Sequence, residues 1–138
     1  LVLPNVCYED VFGEEIALQL RGSARPATIL LNVSNLAWFG ESVAIPQHLQ
    51  ISQMRSIETG RPMLRSTNSG ATAYIDARGK VVGALPNYTQ GTLAVSVQGM
   101  RGMTPFIRFG NYTMLLLAAL ALIAAAISGR KYAKTRQN

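Results

Sequence analysis

One cysteine, one histidine and no acid beyond position 76 are what this 138-residue chain has least of, and each scarcity narrows its chemistry. The single thiol, Cys7, excludes an intrachain disulfide framework and says nothing more about redox compartment. One Cys and one His cannot build a zinc site, so no metal is expected. No phosphate-binding glycine loop is present, because Gly99-Met100-Arg101-Gly102 reads as a flexible connection, and no cofactor is expected. There is no internal repeat. The chain opens without Met, inside what reads as a strand, so a piece of a longer protein is expected; no signal peptide is visible at its start. The length accommodates one modest domain.

Charge is distributed unevenly. All seven acids (Glu9, Asp10, Glu14, Glu15, Glu41, Glu58, Asp76) lie at or before residue 76, where only five Arg occur. From Ala77 onward there are eight Lys or Arg and no acid, four of them (Arg130, Lys131, Lys134, Arg136) within the last nine residues. The net charge of +6 is therefore not a property of the folded body, and a nucleic-acid partner is not expected.

The basic cluster follows Tyr112–Ser128, a Leu-, Ala- and Ile-rich stretch without charge. As a helix it would extend roughly 25 Å, a little short of a hydrocarbon core of about 30 Å. Phe106, Phe109 and Tyr112 on one side and Tyr132 on the other can seat at the headgroup level. A transmembrane helix over 112–128 is expected, with 129–138 as a basic cytoplasmic tail and the preceding residues on the opposite side.

The rest alternates strand and helix signals. Leu1–Val6 predicts a strand, Asp10–Leu20 an amphipathic helix with Val11, Ile16 and Leu20 inward, and Thr28–Val33 a second buried strand, together a βαβ unit. Pro46 begins a helix to about Thr59, with Leu49, Met54 and Ile57 on one side and Gly60 as the stop. Pro62–Thr67 is β-like, Ala71–Leu85 reads as a hairpin turning at Ala77-Arg78-Gly79-Lys80, and Thr92–Val97 as a last strand. The expected fold class is α/β. The domain bounds are 1–98 for the folded body, 99–111 for a connection, then the membrane helix and tail.

Cys7 stands directly after the first strand, where a nucleophile is exposed at a sheet edge with the following N–H groups aimed at any oxyanion formed there. A thiol needs a base or cation to become thiolate, and the only histidine, His48, is the internal partner the sequence offers. Glu9, two residues on, would share the face of Cys7 if the strand continued. Trp38 and Phe39 close the second strand at the same edge, where they line an acyl-binding pocket or pack in a core. Arg55, Glu58, Arg61 and Arg65 form a charged set, with Arg55 and Glu58 at pairing distance on a helix.

Taken in order, Val6-Cys7-Tyr8-Glu9, Ser34-Asn35-Leu36-Ala37-Trp38-Phe39-Gly40, Pro46-Gln47-His48, Met54-Arg55, Gly60-Arg61-Pro62, Leu64-Arg65-Ser66-Thr67-Asn68 and Thr104-Pro105 resemble the C-terminal part of the apolipoprotein N-acyltransferase family, within the nitrilase or carbon-nitrogen hydrolase superfamily. The resemblance covers nearly the whole chain. It implies the C-terminal half of a nitrilase-like αββα sandwich followed by one transmembrane helix, on the periplasmic face of a bacterial inner membrane. It further implies that Cys7 takes a fatty acyl chain from a phospholipid as a thioester and passes it to the N-terminal amine of an apolipoprotein. Tyr8 would supply an oxyanion-hole N–H, Glu9 a supporting carboxylate, and Trp38 and Phe39 substrate contacts.

The family's catalytic Glu and Lys lie upstream of the nucleophile, and nothing here matches them, so the chain alone is expected to be inactive. His48 accordingly loses its weight as base. Leu36 stands where the family usually has Asp. The competing readings are a membrane-tethered nitrilase-like amidase, which shares fold and nucleophile, and a non-catalytic interaction module.

Overall fold

The computed structural model describes the backbone of residues 1–135 and side chains to position 129. The chain forms two compact units, Leu1–Arg108 and the segment from Phe109 onward. The first is built on one five-stranded sheet in the order β1 (Val2–Val6), β2 (Ile29–Ser34), β3 (Met63–Thr67), β4 (Ala73–Ile75), β5 (Val81–Ala84). β1, β2 and β3 are parallel, joined through α1 (Gly13–Gly22) and α2 (Ala44–Thr59); β4 and β5 add antiparallel. The expected βαβ unit is thus present, and α2 completes a second one. The class is α/β, with the hairpin turning at Gly79 (φ 80°), as the sequence predicts.

Side chains alternate across the pleat. On the helix-covered face Ile16 and Leu20 of α1 pack on Ala27, Leu30, Met63, Ile75 and Ile107. The other face presents Val2, Val6 and Val33 to the exterior, with Leu31, Leu64 and Tyr74 half-buried. A sheet clad on one side and apolar on both is what half of a two-sheet sandwich presents.

Three expectations need correction. The helix expected from Asp10 starts at Gly13 instead, because Cys7–Val11 forms a 3-10 turn in which Asp10 swings inward to a buried cation. Ile16 and Leu20 are inward as expected, whereas Val11 is only half-buried. α2 ends at Gly60 (φ 61°) as predicted, but Met54 (49 % exposed) and Ile57 (52 %) face outward. The buried face of α2 is Ile45, His48, Ser52, Ser56 and Thr59, chosen by polar partners beneath it rather than by apolar periodicity. Thr92–Val97 forms no strand: β5, only four residues long, closes the ladder, and Leu93 lies where a Cβ on Gly83 would touch it.

Beyond the sheet, α3 (Pro105–Phe109) buries Ile107, and Arg21 donates to the carbonyls of Ile107 (3.3 Å) and Arg108 (2.7 Å). The second unit is dominated by α4 (Tyr112–Thr135). Its stretch Tyr112–Gly129 has mean hydropathy 2.1, long and apolar enough to cross a membrane. Of the tail expected over 129–138, the backbone to Thr135 continues this helix, and positions 136–138 lie outside the described residues.

Candidate active site

In open α/β sheets, ligands bind beyond the carboxyl ends of the parallel strands. Those ends deliver Cys7 from β1, the Asn35–Phe39 segment from β2 and Asn68 from β3 to one edge. Cys7 leaves β1 with φ 51°, one of three non-glycine residues at positive φ among those described. A side chain in that left-handed region is strained by roughly 1–3 kcal/mol and persists only where its surroundings over-determine it.

Those surroundings can be named. The Glu9 carboxylate turns back to accept the Val6 N–H at 2.6 Å, so it pins the turn instead of sharing the strand face. Asn32 on β2 donates to the Cys7 carbonyl (3.1 Å) and to Asn5 Oδ1 (2.6 Å), and accepts from Ser34 Oγ. Tyr8 is exposed and meets Phe12 edge-to-face with ring centroids 5.7 Å apart. A 3-10 turn leaves its first N–H groups, here those of Cys7 and Tyr8, without acceptors inside the turn.

Behind the turn lies a buried polar cluster. Asp10 and Arg65 form an ion pair at 3.1 Å with both side chains fully buried. Arg65 also donates to Ser52 Oγ, to the carbonyls of His48 (3.2 Å) and Ala71 (3.1 Å), and from Nη2 to His48 Nδ1 (3.0 Å). Because a guanidinium only donates, His48 Nδ1 accepts and the ring proton resides on Nε2. Burial pushes the His48 pKa below its ordinary value, with the Arg65 charge adding to the shift and Asp10 opposing it. Burial likewise lowers Arg65, offset chiefly by Asp10.

His48 is therefore engaged with Arg65 and Asp10. The charged set read from sequence divides into three. Arg55 and Glu58 pair at 2.9 Å, Arg55 also bonding the Val11 carbonyl (2.9 Å), and burial pushes Glu58 upward against the pull of Arg55. A Cβ at Gly13 would run into the Arg55 guanidinium and the Glu58 carboxylate, so a larger residue there would displace that pair. Arg61 bonds three carbonyls, of Ala27, Thr59 and Gly102. Only Arg65 belongs to the site.

Trp38 (83 % exposed) and Phe39 sit on a 3-10 turn after β2, so core packing is not their role. Leu36 fills that place: fully buried with Ile45 and Ala71, its N–H bonded to Asn68 Oδ1 at 2.9 Å. Sequence reasoning missed Asn5, Asp10, Asn32 and Ser52. The signal was available in the strands, whose inward positions run from apolar to polar toward their carboxyl ends: Leu3 to Asn5, Leu30 to Asn32 to Ser34, Met63 to Arg65 to Thr67. Among the described residues no three His, Cys, Asp or Glu side chains gather closely enough to hold a metal ion.

Among the cavities formed by the described residues, two flank the sheet. One, about 380 Å³ and lined in part by Leu1, Thr28 and Arg61, lies at the amino ends of the strands, away from Cys7. The other, about 530 Å³, opens at the carboxyl edge.

A carbon-nitrogen hydrolase profile matches residues 2–105. The chain is 58 % identical over 130 residues to the apolipoprotein N-acyltransferase of Ralstonia nicotianae, covering 94 % of this chain and 25 % of that protein. Its counterpart in Bordetella bronchiseptica is 56 % identical (92 % and 24 % covered) and that of Haemophilus influenzae 38 % (87 % and 22 %). The chain thus spans about a quarter of the length of the curated relatives it matches. A parallel sheet edge that presents a strained cysteine, with a family match across almost all of that unit, places this chain in the carbon-nitrogen hydrolase family.

Proposed function

We propose that this chain is the nucleophile-bearing part of a membrane-bound N-acyltransferase that moves a fatty acyl chain from a phospholipid to the N-terminal amine of an apolipoprotein. The Cys7 thiol gives its proton to a base and attacks the ester carbonyl as thiolate; the C–O bond breaks, and the base returns the proton to the departing lysophospholipid alkoxide. The acceptor amine then attacks the thioester, an amide forms, and Cys7 departs as thiolate while the amine's proton is taken up by a base. The N–H groups of Cys7 and Tyr8 would receive the oxyanion in both steps, with Glu9 holding the turn that aims them. Trp38 and Phe39, exposed at the same edge, would meet the acyl chain.

The observation that carries this reading is Cys7 held at positive φ at a strand end, in a chain similar throughout to proteins named N-acyltransferases. The helix over 112–129 fits substrates drawn from a bilayer, with the folded unit periplasmic and the basic end cytoplasmic, at a bacterial inner membrane. The base and lysine that activate the thiol would come from sequence upstream, so this chain alone is expected to be inactive.

The test is incubation of the full-length protein carrying this chain with labelled phospholipid. Label on Cys7, absent in Cys7→Ser and discharged by an acceptor lipopeptide, is the expected result. Ammonia release from small amides with no acyl-thioester would establish the amidase instead.

A further inference from the structure

The carboxyl-edge cavity of about 530 Å³ is lined by Thr67, Asn68, Ser69, Thr72, Thr89 and Gln90, with Leu85, Tyr88 and Gly91 completing it. No charged side chain lines it, and none occurs anywhere from Val81 to Met100. Its walls are fixed. Tyr88 N–H bonds the Ser69 carbonyl (2.8 Å), Leu85 N–H the Thr72 carbonyl (3.0 Å), and Asn87 Oδ1 accepts the Ala71 N–H (3.2 Å). The Tyr88 hydroxyl reaches across to the Gly40 carbonyl at 2.7 Å, tying the cavity to the loop that bears Trp38 and Phe39. Of the other two non-glycine residues at positive φ among those described, Tyr88 (φ 59°) lines the cavity, and Ala71 (φ 62°) is buried with Leu36 and Ile45 next to the lining residue Thr72. Strain at the nucleophile and strain around this cavity together account for all three, and such strain clusters at ligand sites.

Position relative to Cys7 follows from the register. Val6 pairs with Val33 and Val33 with Ser66, so Cys7 and Thr67 both follow the same rung, two strands apart. Neighbouring strands are about 4.8 Å apart, which puts the cavity roughly 10 Å from the nucleophile. An extended peptide covers that distance in about three residues.

We infer that this cavity is the subsite for the acceptor polypeptide, taking the neutral polar residues that follow its N-terminal residue while the amine sits at Cys7. The inference rests on the acyl-transfer reading above. Hydroxyl and carboxamide groups suit peptide amides and small polar side chains. A phosphate would find no cation here, which argues against the donor's headgroup. Charged residues at acceptor positions two to four would lose hydration without gaining a partner.

The experiment uses the full-length protein, labelled phosphatidylethanolamine vesicles, and two synthetic lipopeptides that begin with a lipid-modified cysteine. Their residues two to four are Ser-Ser-Asn or Lys-Lys-Lys. The lysine peptide is expected to show a KM roughly tenfold higher, with acyl-thioester formation identical in both assays. Gln90→Glu is expected to lower the lysine peptide's KM several-fold and to leave the rate of thioester formation from phospholipid alone unchanged; a merely structural residue would produce no such charge-matched rescue. Thr89→Asp offers the same test from a neighbouring exposed position.

Equal KM for both peptides in the wild type and in Gln90→Glu, with thioester formation intact, overturns the subsite and leaves the acyl-transfer reading standing. Slower thioester formation in Gln90→Glu would assign the cavity to the donor and equally overturn it. Absence of any Cys7 thioester in the wild type would sink the acyl-transfer reading, and the subsite with it.

Discussion

The amino-terminal and carboxyl-terminal halves of the same sheet face solve different problems. Under the first half Leu30, Met63 and Ile75 meet Ile16 and Leu20 in an apolar cluster. Under the second half, a few residues along the same strands, Asn5, Asn32 and Ser34 bond one another, and Arg65 bonds Asp10, His48 and Ser52, all of them buried. The apolar half gains stability from area removed from water and is indifferent to direction. The polar half gains little net stability, because desolvating an ion pair offsets most of its attraction. It does fix direction: Asn32 holds the Cys7 carbonyl, and Arg65 and Ser52 hold Asp10 of the same turn. Packing supports the unit at one end, and hydrogen bonding positions the candidate nucleophile at the other.

That contrast breaks most visibly at Arg65. Arg65→Met leaves Asp10 buried without a cation and is expected to destabilise the chain by about 3–5 kcal/mol. The double variant Asp10→Asn/Arg65→Met should recover much of that, since neither charge then remains. Urea denaturation of the full chain measures both, and a single variant as stable as the wild type would erase the distinction between the halves. Leu30→Ala, in the apolar half, should cost about 2–5 kcal/mol. It should leave the rate of Cys7 alkylation by iodoacetamide in the folded protein unaltered; a changed rate would mean the apolar half also sets the turn.

Asn32→Ala sharpens the contrast from the other side. Loss of the bonds to Cys7 and Asn5 should cost about 1–3 kcal/mol and change the Cys7 alkylation rate, the reverse of the pattern at Leu30. The smallest effect is pH dependence from His48. Its folded pKa lies below the ordinary 6.5, so as pH falls the unfolded chain takes up the proton first. The contribution is whole above about 6.5 and is lost as pH drops from there toward the folded value. His48→Gln should flatten that slope; an undiminished slope would assign it to another group.

The three parallel strands and the hairpin were legible because continuous apolar runs and a Gly79 turn leave few alternatives, whereas the run Thr92–Val97 found no edge to pair with. Cys7 was legible as a candidate from its place after β1, and the ordered resemblance reinforced it. Asp10 was not, because its role depends on Arg65, fifty-five positions away, and a lone acid in a helical pattern reads as solvated surface. The same partner inverted α2: apolar spacing favoured Met54 and Ile57, yet Ser52 and His48 face inward because Arg65 and Asp10 are there. Glu9 was expected on a continuing strand, but its carboxylate satisfies the Val6 N–H and ends that strand.

Position 7 also sets the chain's thermodynamic optimum against its chemistry. At φ 51° the residue favoured by backbone energetics is glycine, which occupies that region without a Cβ penalty. Cys7→Gly would relieve on the order of 1 kcal/mol of strain and remove the sulfur in the same stroke. Selection for stability alone would therefore erase this cysteine. A search for a more robust chain that scored only melting temperature would discard the candidate nucleophile first.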